Sequence, residues 1–487
     1  MTPARAVLAI DAGSSRLRVS VVDLEEGVVL GTASRPAPAR DGELDVEELW
    51  GDLVELVRGV QRGGATVGAI AVAAQLALVL VDADGRSVRP ALLWADQRAV
   101  DEANEIGARL GDDGVAAVGR RITAELPAAK LLWLARHEAE AMGRASRALS
   151  LKDALVLRLT GAAVTDQTHA SYSGLFDVGA RAWHGPALAA ARVAPALLPP
   201  VAASQARAGQ VPSALAALLD VPPRTPVAVG GPDGTLGAVG AGAVRPGVTV
   251  DVAGTTDVLL HTLERPLRDP SSTIVVNAHA APGTWSAGGP TGLTGGAVEW
   301  TARLLGASSA AEACELHGPE LDRMAPGAEG VLFLTAMGGS RFPTWRAADA
   351  GVVSGLRPEH GPAHVLRAAQ EGAALAVDAG IDALRRAGAD VREVVVVGGA
   401  AARAATLQLR ADVWDLPVVA LANREATTVG AAMLAGVTCG AFDDLGAAAR
   451  AMVHPGERHL PRPDVARAFD AVRARWRALT ERQLGPA

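Results

Sequence analysis

The sequence predicts an α/β protein of two domains, and three observations carry that prediction. Strand-length apolar runs alternate with helical patterns in both halves of the chain. One local pattern occurs twice: VLAIDAGSSRLRVSVVD at residues 7–23 and TVDVAGTTDVLLHTL at 249–263, each a strand, an acid, a glycine, two adjacent hydroxyls and a second strand. The chain has 487 residues, more than one hydrophobic core usually organises. The turn Arg245-Pro246-Gly247 divides the halves, giving domains at 1–244 and 245–487. No low-complexity linker separates them, so they are expected to pack across a cleft.

Residues 7–33 read as a β-meander. A helix is expected over 46–59, then strands at 67–74 and 77–81 and the turn Asp82-Ala83-Asp84-Gly85. Alanine- and leucine-rich helices are expected near 98–111, 127–142 and 151–159. A strand at 226–230 leads to a glycine-rich helix at 235–242. The second half starts over with strands at 248–252 and 257–263. Helices near 293–305, 363–386, 402–414 and 426–436 follow, with strands at 393–397 and 418–421 among them. The tail, 463–483, is an amphipathic helix with a solvated arginine face and no evident partner.

Composition narrows the function. A formal charge of −7 and 3% aromatic residues speak against nucleic acid or an anionic membrane as partner. Two cysteines, Cys314 and Cys439, have no metal-ligand spacing and fit buried thiols in a reducing compartment. Asp11 interrupts the first apolar stretch, which leaves no secretory pattern. The longest apolar run, 68–81, is broken by Gln75 and is too short to span a bilayer, so a cytoplasmic location is expected. The only lysines are Lys130 and Lys152, and neither follows a glycine, which excludes a Walker A loop. The protein-kinase residues, an HExxH zinc motif and a GxSxG elbow are absent too.

Read alone, Asp11-Ala12-Gly13-Ser14-Ser15 is equally a plain hairpin turn. Its second copy, Asp251 to Thr256, favours phosphate binding, because N–H groups at a glycine turn and paired hydroxyls suit an anion. The acid beside it could hold hydrated Mg²⁺. In VAVGGPDGTLG a buried strand ends in two glycines and Asp233, which either caps a helix or acts as a general base at a strand's carboxyl end. Val394 to Arg403 is a strand, the pair Gly398-Gly399 and a helix, where bare backbone would admit a flat ring or a ribose. The run Gly237 to Gly242 reads better as close helix packing than as a dinucleotide fingerprint.

These four sites, in this order, resemble the FGGY family of carbohydrate kinases, and the resemblance runs from about residue 6 to residue 440. Leu92 to Arg98 looks like the family's W-x-D-x-R segment, and Lys130 to Leu134 like its first signature. Lys152-Asp153 with Leu159-Thr160-Gly161, and Asp166 with Ala170-Ser171, are similar to further family segments. Gly351 to Leu356, continuing to Glu371, looks like the second signature; Glu425 and Gly430-Ala431-Ala432 complete the pattern.

The resemblance implies two actin-like (ribonuclease-H-like) ATPase domains with ATP in the cleft and the sugar mostly on the N-terminal domain. Asp11, with Asp233, would face Mg²⁺, and Gly13, Ser14, Ser15 and Arg18 would lie near the γ-phosphate. Gly254, Thr255 and Thr256 would contact nucleotide phosphates, and Gly295, Glu299, Gly398, Gly399 and Arg403 would line the rest of that site. Asp233 would be the general base, in a sugar pocket with Gln75, Leu76, Ala77, Trp94, Asp96 and Glu125. The implied activity is ATP-dependent phosphorylation of a primary hydroxyl of a small sugar, a ketopentose such as D-xylulose first. The chain departs from the pattern at Leu76-Ala77, where xylulokinases carry Met-His and glycerol kinases Arg-Glu, at Gly234 and at Glu125. Another polyol, ketose or sugar acid (glycerol, ribulose, gluconate) is the alternative acceptor, and an actin- or chaperone-like ATPase the alternative class. A homodimer is the oligomer this reading allows for.

Overall fold

A computed structural model describes residues 6–267, 269 and 271–485. They form two units. The first takes the chain up to Pro246 together with Thr262–Ser286 and Glu425–His454; the second takes Gly247–His261, Ala287–Arg424 and the chain from Pro455. A break thus falls beside the expected turn at 245–247, but two later segments return to the first unit, so the span 245–487 is not one body.

The first unit is organised by a seven-stranded sheet. Its strands are β1 (Ala6–Ala12), β2 (Arg16–Asp23), β3 (Val29–Pro36), β4 (Val67–Ala74), β5 (Arg207–Gln210), β6 (Pro226–Ala228) and β7 (Gly231–Pro232), in the order β5-β6-β4-β1-β2-β3, with β7 also on β4. β1 and β4 are near-continuous apolar runs because both sheet faces are covered. On one face Leu8, Ile10 and Val72 pack with Leu49 and Leu53 of helix Val46–Gly59. That helix is capped by the Asp45 side chain, which accepts from the N–H groups of Glu47 at 2.9 Å and Glu48 at 3.0 Å. On the other face Val7, Ala9, Ala71 and Ala73 pack with Leu236 and Val239 of helix Asp233–Gly240 and with Val429 and Met433 of helix Ala426–Thr438.

Those two helices meet through glycine, as the run Gly237 to Gly242 suggested. A Cβ on Gly240 would overlap the Ala426 carbonyl oxygen, and one on Gly430 would overlap that of Leu236. This backbone-to-backbone fit places 425–454 in the first unit although it lies far along the chain.

In the second unit β8 (Thr249–Ala253) forms a hairpin with β9 (Asp257–Leu263) and runs parallel to β10 (Val394–Gly398). β11 (Val418–Leu421) is parallel to β10, and β12 (Pro455–His459) is antiparallel to β11. The tail helix, Pro463–Leu484, has a partner within this unit: Phe469, Val472 and Trp476 are buried, and Arg473 pairs with Asp378 at 2.7 Å. The helix expected near 98–111 ends at a non-helical Gly111, and a further helical segment runs on to Ala117. The one expected at 127–142 divides into Pro127–His137 and Ala139–Arg144 at Glu138, whose carboxylate holds Arg89 at 2.7 Å. Strand Trp285–Pro290 escaped the sequence reading because its glycines and serine break the apolar alternation. Among the described residues no helix is long and apolar enough to cross a membrane.

The glycine contact sets an expectation for stability. Gly430→Ala should cost about 1–3 kcal/mol by forcing the two helices apart, read as a lowered midpoint in thermal unfolding; an unchanged midpoint would contradict the close approach.

Candidate active site

Strand register assembles the first unit's site. Asp11 of β1 lies opposite Ala73 of β4, and Gly231 of β7 lies opposite the same Ala73. All three strands are parallel, so Asp11 and the residues after Pro232 emerge at the same, carboxyl edge of the sheet, where open α/β sheets place their ligands. Asp233 follows there as the first residue of its helix. It is not the cap: Pro232 holds that position, and the carboxylate accepts from the adjacent Gly234 N–H at 2.7 Å.

The two carboxylates share a poorly solvated place. Burial and the nearby Asp233 push Asp11 up to about 7, against the pull of Arg18. Burial also raises Asp233 above the usual carboxylate range. Asp11 Oδ1 is buried with no hydrogen-bond partner among the described residues. Arg18 pairs with Glu425. Gly13 and Arg16 close the turn, the Gly13 N–H donating to the Arg16 carbonyl at 3.0 Å, and Ser14 and Ser15 stand exposed at its tip. Gln75 reinforces it: its N–H donates to the Ala12 carbonyl at 3.0 Å and its Nε2 to the Gly13 carbonyl at 3.2 Å, with Oε1 left unpartnered.

Leu76 and Ala77 follow on the adjoining segment, and Leu76 accepts from the Trp94 N–H at 3.0 Å. The Trp94 side chain is 37% exposed, a large ring left at the surface beside the strand ends. Asp96 is held by a neighbouring arginine. Arg98 grips both its oxygens, Nε to Oδ1 at 2.9 Å and Nη2 to Oδ2 at 2.8 Å, and holds it below the usual range despite burial. Glu125 lies within electrostatic reach of the buried cations Arg120 and Lys130, the latter pushed down to about 8 by burial.

In the second unit Gly254, Thr255 and Thr256 form the β8–β9 turn, with Gly254 and Thr255 exposed. Helix Thr294–Leu304 starts against it: a Cβ on Gly295 would overlap the Gly254 carbonyl oxygen. Gly398 ends β10 opposite Ala253, and Gly399 beside it is exposed, so bare backbone gathers around the turn. Glu299 and Arg403 both secure the segment at 310–311: Glu299 Oε2 accepts from the Ala310 N–H at 3.0 Å, and Arg403 Nη1 donates to the Ala311 carbonyl at 3.1 Å. Asp251, the counterpart of Asp11 in the repeated pattern, has another fate. It is fully buried and paired with Arg410, which also holds Asp257 at 2.6 Å.

Sequence reasoning missed one cluster beside Asp233. Lys152, Asp166 and His169 are buried together, and the half-buried Tyr172 lies over Arg120, whose guanidinium sits 4.3 Å from the ring centre. The signal available was scarcity: one of two lysines and the only tyrosine of the chain.

Two family models now match. The N-terminal domain of FGGY carbohydrate kinases matches residues 6–240, and the C-terminal domain matches residues 250–439. The chain belongs to the FGGY family of carbohydrate kinases. As an FGGY kinase it is a phosphotransferase using ATP and a sugar hydroxyl acceptor. It is 31% identical to the xylulose kinase of Escherichia coli (strain K12) over 83% of this chain and 84% of that one. It is 27% identical to the autoinducer-2 kinase of Salmonella paratyphi B over 98% of this chain and 94% of that one. The crystal structure of xylulose kinase from Rhodospirillum rubrum superposes with a TM-score of 0.88 at 29% identity, covering 98% of both chains.

The raised acid at position 11 sets a sign for stability. Folded Asp11 holds its proton up to about pH 7, while the unfolded chain loses it near 3.8. The ionised carboxylate therefore penalises the fold above that window, and the penalty fades as pH falls from 7 towards 4. Asp11→Asn should raise the thermal midpoint at pH 8, with a gain that shrinks towards pH 4; a pH-independent shift would contradict the burial of that charge.

Proposed function

We propose that this FGGY kinase transfers the γ-phosphoryl group of ATP to a primary hydroxyl of a small ketose, with D-xylulose as its first candidate acceptor. Relatives named xylulose kinase support the acceptor class. The observation that carries the roles is the placement of Asp11 and Asp233 at one strand edge, where burial raises both. Asp233 accepts the hydroxyl proton as the acceptor oxygen bonds to the γ-phosphorus and the bond from phosphorus to the ADP oxygen breaks. The products are a sugar phosphate and ADP, and Asp233 returns its proton to water.

The turn of Gly13, Ser14 and Ser15, with Arg18, receives the γ-phosphate. Gly254, Thr255 and Thr256 take the nucleotide phosphates, and Gly295, Gly398, Gly399 and Arg403 the rest of the nucleotide. Gln75, Leu76, Ala77, Trp94 and Glu125 border the acceptor. Mg²⁺ fits Asp11 and Asp233: Asp11 offers a buried oxygen without a partner among the described residues. No group of three His, Cys, Asp or Glu among the described residues could hold a metal alone, so phosphate oxygens and water complete the donor set, as Mg²⁺ prefers. The bound ion would neutralise phosphate charge.

Mg-ATP and a panel of D-xylulose, D-ribulose, glycerol and D-gluconate test this. One acceptor should raise ADP formation far above the acceptor-free rate and yield its monophosphate. Asp233→Ala should lower that turnover by about 10²–10⁴-fold. ATP consumption indifferent to every acceptor, or an Asp233→Ala variant with near-normal turnover, would contradict the proposal.

A further inference from the structure

His169 is 94% buried by its neighbours, being 6% exposed, and its Nε2 has no hydrogen-bond partner among the described residues. The other ring nitrogen is fixed. Nδ1 lies 2.8 Å from Asp166 Oδ1. Asp166 is fully buried and held ionised, below the usual carboxylate range, by Lys152 at 3.2 Å and by the imidazole itself. Its second oxygen accepts from the N–H groups of Thr168 at 2.9 Å and His169 at 3.2 Å, and from Ser204 Oγ at 3.4 Å. An ionised carboxylate only accepts, so Nδ1 carries the proton. In the neutral imidazole Nε2 is then a bare acceptor, and burying it unfilled costs stability.

The surroundings keep this acceptor near the base. His169 and Tyr172 lie three residues apart on helix Gln167–Tyr172 and share a face. Tyr172 bonds Thr235, two residues after Asp233, and also Asn277. Asp233 lies within electrostatic reach of His169, whose ring would lower it when charged. Lys152, which also pairs with Asp153 at 2.5 Å, braces the turn before β7: a Cβ on Gly230 would stand 2.9 Å from its Cδ. The Lys152–Asp166 pair thus anchors the imidazole and the strand that delivers Asp233.

We infer that His169 is a specificity-determining residue: its Nε2 accepts a hydrogen bond from a hydroxyl of the acceptor other than the one Asp233 deprotonates. The inference rests on the kinase reading above. It makes the acceptor a polyhydroxylated compound with two hydroxyls reachable at once from Asp233 and His169. A monohydric alcohol leaves the buried nitrogen unfilled and is rejected.

The test compares wild type, His169→Ala and His169→Asn on D-xylulose and on its monodeoxy analogues at the non-reacting positions. Loss of one hydrogen bond should raise KM by about 10–100-fold for D-xylulose, with kcat changed less. One analogue should carry that penalty already in the wild type, and His169→Ala should add less than about twofold to it. An equal penalty on D-xylulose and every analogue overturns the inference. A readout independent of turnover and of variant folding is ¹⁵N NMR of histidine-labelled wild type. The His169 Nε2 resonance should move to a hydrogen-bonded position as D-xylulose is added, and an unmoved resonance overturns the inference. Absence of wild-type turnover on D-xylulose would count against that acceptor in the kinase reading; the panel acceptor that is turned over then takes its place in the NMR titration, and an unmoved His169 resonance with that acceptor overturns the inference.

Discussion

Two carboxylates in one poorly solvated place constrain the first unit more than any other feature. Asp11 and Asp233 are brought to a common edge by the register of three parallel strands, and burial makes ionisation costly for both. Such an arrangement survives only where neighbouring structure enforces it. Here the enforcement is visible: Gln75 ties the turn after Asp11, the glycine-to-glycine helix contact holds the helix that Asp233 opens, and Lys152 braces the approach to it. A cation and a proton acceptor are the two roles such a pair serves, and phosphoryl transfer uses both.

The repeated acid–glycine–hydroxyl hairpin shows how one pattern yields two chemistries. In the first copy Asp11 faces a second carboxylate, Asp233, so the turn presents negative charge that a divalent ion can share. In the second, Arg410 takes both Asp251 and Asp257 into the interior. That leaves the β8–β9 turn with backbone N–H groups and threonine hydroxyls and no competing carboxylate, an environment suited to phosphate oxygens. The difference comes from one arginine more than 150 residues along the chain, 159 from Asp251 and 153 from Asp257.

Local pattern made most of the architecture legible. Helix Val46–Gly59 and strands Val67–Ala74 and Ala77–Val81 stand where apolar periodicity puts them. Asp11, Asp233 and the glycine turns were legible for a related reason: an acid or a glycine at the end of an apolar run marks a strand's carboxyl edge. What escaped depends on distant partners. The membership of Glu425–His454 in the first unit follows from a match between Gly240 and Gly430 that no local pattern reports. The partners of Asp96 and Glu299, Arg98 and the Ala310 N–H, follow from the fold and are not signalled by the acids themselves. His169 carries no signal in the local sequence, because its fixing partners Asp166 and Lys152 show only in the folded interior.

The shared charge of the carboxylate pair is open to direct measurement. Calorimetric titrations of MgADP, less ADP alone, in buffers of different ionisation enthalpy report the protons released when Mg²⁺ arrives. Burial and Asp233 push Asp11 up to about 7 and Asp233 is raised as well, so at pH 7 the wild type should release protons as Mg²⁺ arrives, and Asp11→Asn fewer. Proton release identical in both proteins, or absent from the wild type, would contradict a buried Asp11 that exchanges its proton for the metal.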